Sequence, residues 1–293
     1  MKKYPLVSIV LITYNRRFLL PYAIQSVISQ TYSNYEIIVV NDCGEDVWDI
    51  IESFKSDKIK YLSHIKNSGL PFARNTALKA SHGDIICYLD DDDLFLDNHL
   101  EILVEEFQKK DTDLVLTDSY FVEEELRDGK RRELERLVPY KGINFSIERL
   151  LVANFIPVNS WVHRSFLIEK TGYFDELLSS HEDWDMLIRI ALKANNITYT
   201  EKKTVEVRHR KNIADNMLHR EQRNFYNVYN YIYKKHPVSK LKILKERQGV
   251  LYMLAKDENK LWVFFKEVFS HPLKIIIFIY YGISKIKDKI VSN

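Results

Sequence analysis

The 293-residue sequence has only two cysteines, Cys43 and Cys87. Two thiols make no disulfide framework, and they fit no zinc pattern. Both sit beside apolar runs, so both are expected to be buried free thiols in a reducing compartment. Long apolar runs are also missing. No segment reaches the roughly 18–20 apolar residues that a spanning helix needs. The nearest, LKIIIFIYYGI at 273–283, is too short. The opening MKKYPLVSIVLITYNRR has an apolar core of about seven residues and reads as a strand, not a signal peptide. Neither G-x-G-x-x-G nor G-x-x-x-x-G-K-[ST] occurs, which removes the usual dinucleotide and P-loop readings. No internal repeat and no low-complexity tract interrupts the chain.

What is present is globular in character, with 46% hydrophobic and 29% charged residues. The length suits one large domain or two unequal ones. The net charge of +2 hides an asymmetry. From Ala214 onward, 15 Lys and Arg stand against 7 Asp and Glu, a balance of about +8, and the remainder carries about −6. An acidic body with a basic tail suits a metal-using catalytic domain joined to a segment drawn to anionic surfaces.

LVSIVLI (6–12) is a continuous β-branched run, as expected of a strand covered on both faces. Further strands are expected at 35–41, 59–64, 84–89 and 112–121, with one or two more in 197–209. Helices alternate with them at 16–31, 45–55, 70–83, 96–110 and 181–195. Pro71 near the start of the third helix and Gly83 past its end show the usual asymmetry. This alternation predicts an α/β fold on a mostly parallel sheet. The highly charged segment 123–142 reads as an exposed hairpin or mobile loop. After Ala214 the pattern is helical, with Pro237 and Pro272 as breaks, so the expected division is 1–213 and 214–293.

In a sheet of this kind ligands sit outside the carboxyl ends of the strands. Three polar segments fall there: TYNRR (13–17), NDCGED (41–46) and DDDD (90–93). Adjacent carboxylates raise one another's pKa unless something neutralises them. Continued strand geometry would point Asp90 and Asp92 one way, Asp91 and Asp93 the other. A carboxylate pair at a sheet mouth suits a hard divalent cation such as Mg²⁺, whose shell is completed by water and phosphate. The EF-hand glycine and later glutamate are absent. A solvated acidic turn is the alternative.

The order and spacing of VSIVLITYNRRFLLPYAIQSVISQTYSNYEIIVVNDCGED, NSGLPFARNTALKASHGDIICYLDDDDLF, GYFDE and HEDWDMLIRIA resemble the family 2 glycosyltransferases. The resemblance spans roughly residues 5–212 and implies the GT-A fold, with a C-terminal helical extension beyond it. It further implies an inverting enzyme that takes a sugar from a nucleotide diphosphate with Mn²⁺ or Mg²⁺.

By that resemblance Asp90 and Asp92 form the Asp-x-Asp pair, with Asp91 between them. Asp92 is the implied metal ligand, and Asp90 and Asp91 lie with the donor. Thr13, Tyr14 and Asn15 are implied donor contacts, although Asn15 also suits a helix N-cap. Asp42 corresponds to the base-binding acid, which makes a UDP-sugar the default donor; with Glu45 it also mimics a capping box. Where the family often has Asp-Asp-Gly-Ser, this chain has Asn41-Asp42-Cys43-Gly44, which shifts the glycine by one. Asn67, Gly69, Arg74 and Asn75 match the next segment. Arg74 suits either a phosphate contact or an ion pair. Asp183 is the implied base that deprotonates the acceptor hydroxyl, and Glu182 orients it or binds acceptor. Acids in a first helical turn also favour the helix dipole without any catalytic duty. Trp184 either walls the acceptor site or belongs to the core. In VEVRHRKN, His209 is the candidate third metal ligand and Arg208 a candidate diphosphate contact.

The C-terminal segment mixes Lys with Trp, Phe, Ile and Tyr. Its helices either pack together or dock on an anionic membrane surface. The expected acceptor is a glycan or lipid-linked glycan in cell-surface polysaccharide synthesis. The expected location is cytoplasmic, with peripheral contact at the inner membrane face. No nucleic-acid reader motif is present. Two competitors remain: a sugar-phosphate nucleotidyltransferase, which should carry a glycine-rich loop after its first strand, and a non-catalytic nucleotide-sugar-binding or membrane-associated scaffold.

Overall fold

The structure, a computed structural model, describes residues 4–109, 111–127, 130–137, 145–210, 224–270, 275 and 277. It divides into two compact units. One comprises 1–145 and 155–213, the other 146–154 and 214–293. Segment 146–154, which the sequence reading groups with the first body, thus belongs to the helical unit.

The first unit carries β1 (Val7–Thr13), β2 (Tyr35–Asn41), β3 (Ile59–Ser63), β4 (Ile85–Asp90), β5 (Leu94–Phe95), β6 (Leu114–Arg127), β7 (Lys130–Leu137), β8 (Trp161–Arg164) and β9 (Ile197–Arg210). Among the described residues these form one nine-stranded sheet in the order β3-β2-β1-β4-β8-β6-β9-β5, with β7 on β6. The half that holds β1 to β4 is parallel. The other half is mixed: β8 runs antiparallel to β4 and β6, while β9 runs parallel to β6. The expected α/β class holds, and the antiparallel admixture enters through β5, β7 and β8, of which β5 and β8 carry too few residues to show a period in sequence.

The helices of this unit are α1 (Leu20–Ile28), α2 (Trp48–Ser53), α3 (Leu70–Ala80), α4 (His99–Lys109), α6 (Leu167–Thr171) and α7 (Glu182–Lys193). Both faces of the central strands are covered. Val7, Ile9 and Leu11 of β1 join a core with Leu20, Ile24 and Val27 of α1 and Leu103 and Phe107 of α4. The opposite face of β1 and β2 receives α3. That double cover is why β1 reads as an unbroken apolar run. Each such buried side chain contributes on the order of 1.5–3 kcal/mol.

The parallel register lines up the site. Thr13 pairs with Asn41, and Ile12 with Asp90, so the ends of β1, β2 and β4 lie side by side. The segment expected to be an exposed hairpin or mobile loop is the β6–β7 hairpin; β7 is largely exposed, but Glu124 is fully buried and the Arg131 side chain is 5% exposed. Its last residues, 138–142, lie outside the described residues.

The second unit holds α5 (Ile147–Leu150), α8 (Phe225–Lys235), α9 (Leu241–Asp257) and α10 (Leu261–Phe269). Pro237 falls between α8 and α9, as expected. Pro272 and most of the apolar stretch 273–283 lie outside the described residues. Among the described residues no helix is long and apolar enough to cross a membrane.

Candidate active site

The four aspartates do not continue β4. The strand stops at Asp90, and a turn closed by the Asp93 N–H donating to Asp90 O at 3.1 Å leads into β5. The expected alternation of side chains is therefore replaced by turn geometry. Asp91 and Asp92 converge on one guanidinium, with Arg16 Nη1 2.8 Å from each. Arg210 adds a second contact to Asp92 Oδ2 at 3.2 Å. Asp93 accepts from the Arg208 N–H at 2.7 Å and from the Asn159 amide. Asn159 Oδ1 in turn accepts the Asp90 N–H at 2.8 Å.

Arginines thus supply the neutralisation that the sequence demands. Burial still pushes the carboxyls up: Asp91 to about 6, with Asp92 adding to burial while Arg16 pulls back. Asp93 is raised well above the ordinary range by burial and by Asp92 and Asp90. Burial likewise raises Asp90, against the pull of Arg74. For Arg16 burial works against the charge, but Asp92 and Asp91 outweigh it and hold the guanidinium protonated.

Arg74, on α3, is 3% exposed and spans two carboxylates. Its Nη2 lies 2.8 Å from Asp90 Oδ1, and its Nη1 bonds Glu182 at the start of α7. Its place on the buried face of α3 makes it the link between the aspartate turn and the Glu-Asp helix. Glu182 is itself buried, which pushes its carboxyl up to about 7, with Asp183 adding to the rise and Arg74 opposing it. Asp183 is half-buried, and its Oδ1 accepts the Trp184 N–H at 2.8 Å. His181, just before them, takes a left-handed φ of 58°, an uncommon conformation for a side-chain-bearing residue. Asn75, one residue past Arg74, bonds the backbone of Phe174 in both directions, at 2.8 and 3.0 Å, and so pins GYFDE against α3.

The donor-side residues form a second cluster. Asp42 accepts from the Ser68 N–H at 3.0 Å, from the Gly69 N–H at 2.8 Å and faces His64 Nδ1 at 2.7 Å. It therefore organises the entry to α3, where Gly69 takes φ 90°, and it caps no part of α2, whose N-cap is Val47. Asn67 is exposed and donates to Asp42 O at 3.3 Å. Asn15 is not a helix cap: α1 begins at Leu20, while Asn15 Oδ1 accepts the Glu45 N–H at 2.9 Å. The shifted glycine has a visible consequence. Cys43 takes the left-handed φ of 61°, and a Cβ on Gly44 would fall 2.6 Å from Asn15 N. Cys87 is buried as expected, but Cys43 is exposed, because the turn carries it out of the sheet. Thr13 is buried beneath this cluster and Tyr14 is 44% exposed beyond it.

Two expected residues lie elsewhere. Trp184 is fully buried, with its ring 6.1 Å from His181, which is the core alternative of the sequence reading. His209 stacks on Phe121 at 5.7 Å. Its strand neighbours Arg208 and Arg210 reach Glu124, Glu206 and Asp92, and alternation in β9 sends His209 to the opposite face. Among the described residues no three His, Cys, Asp or Glu side chains group to hold a metal by themselves. Asp90 and Asp92 each meet their arginines through one oxygen, Oδ1 and Oδ2 respectively, which leaves the second oxygen of each outside those contacts. That donor set fits a cation that draws its other ligands from phosphate and water.

Arg16, Arg131, Arg210 and Asn159 carry no assignment in the sequence reading. Arg16 was visible within TYNRR, but nothing in the sequence separates it from Arg17, which turns outward to Asp49 at 2.8 Å.

Comparison with known proteins bears on these features. The family described as Glycosyl transferase family 2 matches residues 8–169. The Bacillus subtilis glycosyltransferase YwdF is 35% identical over 185 residues, 63% of this chain and 68% of that protein. WcaA of Escherichia coli, named for colanic acid biosynthesis, is 30% identical over 198 residues, 66% of this chain and 68% of that one. Among solved structures, residues 1–349 of S. aureus TarS in complex with UDP-GlcNAc superpose with a TM-score of 0.67 at 20% identity, covering 85% of this chain and 72% of that fragment. The mannosyltransferase PcManGT from Pyrobaculum calidifontis, in complex with GDP-Man and Mn²⁺, gives 0.63 at 14% identity, covering 97% and 81%. These likenesses bear out the GT-A expectation for the fold.

Proposed function

The chain belongs to glycosyl transferase family 2, and from that premise we propose that it transfers a sugar, with inversion, from a nucleotide diphosphate to a glycan or lipid-linked acceptor in cell-surface polysaccharide synthesis. The observation that carries this reading is Arg74. It ties Asp90, in the aspartate turn, to Glu182, beside the proposed base. One buried cation thereby fixes the separation between the side that holds the leaving diphosphate and the side that activates the acceptor.

In this reading Asp42, Thr13, Tyr14, Asn15 and Asn67 form the nucleoside side, and uridine is the expected base. Asp90 and Asp92 would hold Mn²⁺ or Mg²⁺, with Asp91 braced behind them by Arg16. A bound cation supplies charge stabilisation to the departing diphosphate. Asp183 takes the proton from the acceptor hydroxyl as its oxygen forms the new bond to the anomeric carbon and the bond to the diphosphate breaks. Glu182 and Arg74 hold that base in register. Arg16 and Arg210 stand where negative charge accumulates on the leaving group, and preorganised cations of this kind act most strongly in a site shielded from water. A homologue named for colanic acid biosynthesis, and structural neighbours in complex with UDP-GlcNAc and with GDP-Man and Mn²⁺, support the reading.

A thermal-shift screen of UDP- and GDP-sugars, with and without Mn²⁺, tests it. The expected result is a metal-dependent rise with one donor class and slow release of the free nucleotide from that donor. The absence of both across the panel refutes donor binding at this site.

A further inference from the structure

The helical unit carries a half-open cavity of about 240 Å³. Its apolar wall is made by Val238, Leu244, Leu251, Phe264, Val268 and Ile277. Three charged side chains also line it: Lys234, Arg247 and Glu267. Glu267 is spent locally, since it accepts from Asn230 at 2.9 Å, from the Tyr226 hydroxyl at 3.0 Å and from Lys234 at 3.0 Å. It leaves nothing to neutralise Arg247.

Arg247 is 5% exposed and faces no carboxylate among the described residues. Its Nε donates to Leu151 O at 2.6 Å and its Nη1 to His236 O at 2.6 Å and Tyr233 O at 3.3 Å, and the guanidinium lies over the Tyr233 ring, 4.5 Å from its centroid. Its Nη2 is buried and makes no hydrogen bond among the described residues. A buried cation without a counter-charge is costly. Here burial pushes Arg247 down to about 10, with Tyr233 pulling the other way. An apolar cavity lined by a guanidinium that meets backbone carbonyls and the Tyr233 ring but no carboxylate is complementary to an anion carried on an apolar chain, because the planar donors of arginine suit phosphate and carboxylate oxygens.

Two further features favour a bilayer as the source. The volume of about 240 Å³ falls below the range for small-molecule sites, about 300–1,000 Å³, so it suits a headgroup and the start of one chain and is too small for a whole lipid. In addition, α10, which supplies Phe264 and Val268 to the wall, exposes Trp262 (80%), Val263 (46%) and Phe269 (63%). Exposed apolar side chains with Trp among them suit the membrane interface.

We propose that this cavity receives the anionic headgroup and first methylenes of a membrane lipid. The site lies wholly within the helical unit and does not depend on the catalytic reading. Calorimetric titration of the full chain with decyl phosphate below its micellar concentration tests it, with decanol and inorganic phosphate as controls. The companion assay is cosedimentation with phosphatidylcholine vesicles with and without phosphatidic acid. The expected result is saturable binding of decyl phosphate, with each control weaker by on the order of tenfold or more. Leu251→Phe, which fills the cavity and keeps the cation, should abolish that binding and reduce association with the acidic vesicles. Where Leu251→Phe fails to fold, Leu244→Phe makes the same test. Equal affinity for decanol, equal affinity for inorganic phosphate, unaltered binding by the filled variant, or no binding of decyl phosphate at all would each overturn the proposal. Loss of donor binding at the catalytic site would leave these results unchanged.

Discussion

Arg74 and Glu182 stand 108 positions apart in the chain and meet as a buried ion pair, with side chains 3% and 5% exposed. The same guanidinium holds Asp90. Removing one member of a buried pair leaves the other charged and unsolvated, which costs about 3–5 kcal/mol. Arg74→Met should therefore lower stability by roughly that amount at about pH 8, where Glu182 is ionised. Arg74→Lys should recover only part, because an ammonium cannot reach two carboxylates with a planar fork. Urea unfolding of the three proteins measures both effects, and a midpoint unmoved by Arg74→Met would show that the pair holds nothing together.

Glu182 also gives the protein a pH signature. Its carboxyl sits at about 7 when folded, through burial reinforced by Asp183 and opposed by Arg74, against about 4.3 in an unfolded chain. The native state therefore binds this proton more tightly. The resulting stability is fully present below about pH 4 and is lost as the pH rises through about 7. Glu182→Gln copies the protonated acid and does not titrate. The stability of the variant minus that of the wild type should climb between about pH 4.5 and 7 and level off above. A difference flat across that window would mean that the carboxyl is not raised.

The catalytic assignments separate by kinetics. Asp183→Asn keeps the shape but cannot accept a proton, so turnover should fall about 10²–10⁴-fold while donor affinity stays near that of the wild type. Near-normal turnover in this variant would remove Asp183 from the role of base.

Asp92→Ala should leave UDP binding without metal almost unchanged and abolish the tightening produced by Mn²⁺. Titration calorimetry with and without the ion reads this directly. If Mn²⁺ tightens UDP binding equally in the variant, the cation is held by other groups.

These sites differ in how legible they are. β1, β2 and β4 are readable because burial on both faces leaves runs such as LVSIVLI with nothing to hide. Their ends mark the site for the same reason, since polar residues return only where the sheet stops. The role of the aspartates was half legible. Their clustering asks for neutralisation, but which of Arg16 and Arg17 supplies it depends on where the chain turns after β1. The face on which His209 stands was not legible, because it depends on the register of β9, and that strand carries irregularities opposite Thr117 and Asp118 that no local pattern shows. The β6–β7 segment is the expected hairpin and β7 is largely exposed, but its interior residues were hidden because charge in sequence reads as solvent exposure. Glu124 and Arg131 are nonetheless interior, where Arg131 and Arg208 share the Glu124 carboxylate.

That buried pair supports a last prediction. Arg131 bonds Glu124 through Nε at 2.9 Å and also donates to the backbone carbonyl of Asp92. It is therefore a strut from the hairpin to the aspartate turn, and Arg208 shares Glu124 at 2.9 Å. Arg131→Ala should cost about 1.5–3 kcal/mol, the scale of hydrogen bonds to a charged group. Donor affinity in the presence of Mn²⁺ should weaken as well, because Asp92 loses a backbone anchor. Arg132, the next residue in β7, has a side chain 62% exposed and pairs only with Glu125 at 3.4 Å among the described residues. Arg132→Ala removes the same charge from the same strand and should change stability by no more than about 0.5 kcal/mol. If the two substitutions weaken donor binding equally, the hairpin acts through net charge; if only Arg131→Ala does, it acts by holding the turn in place.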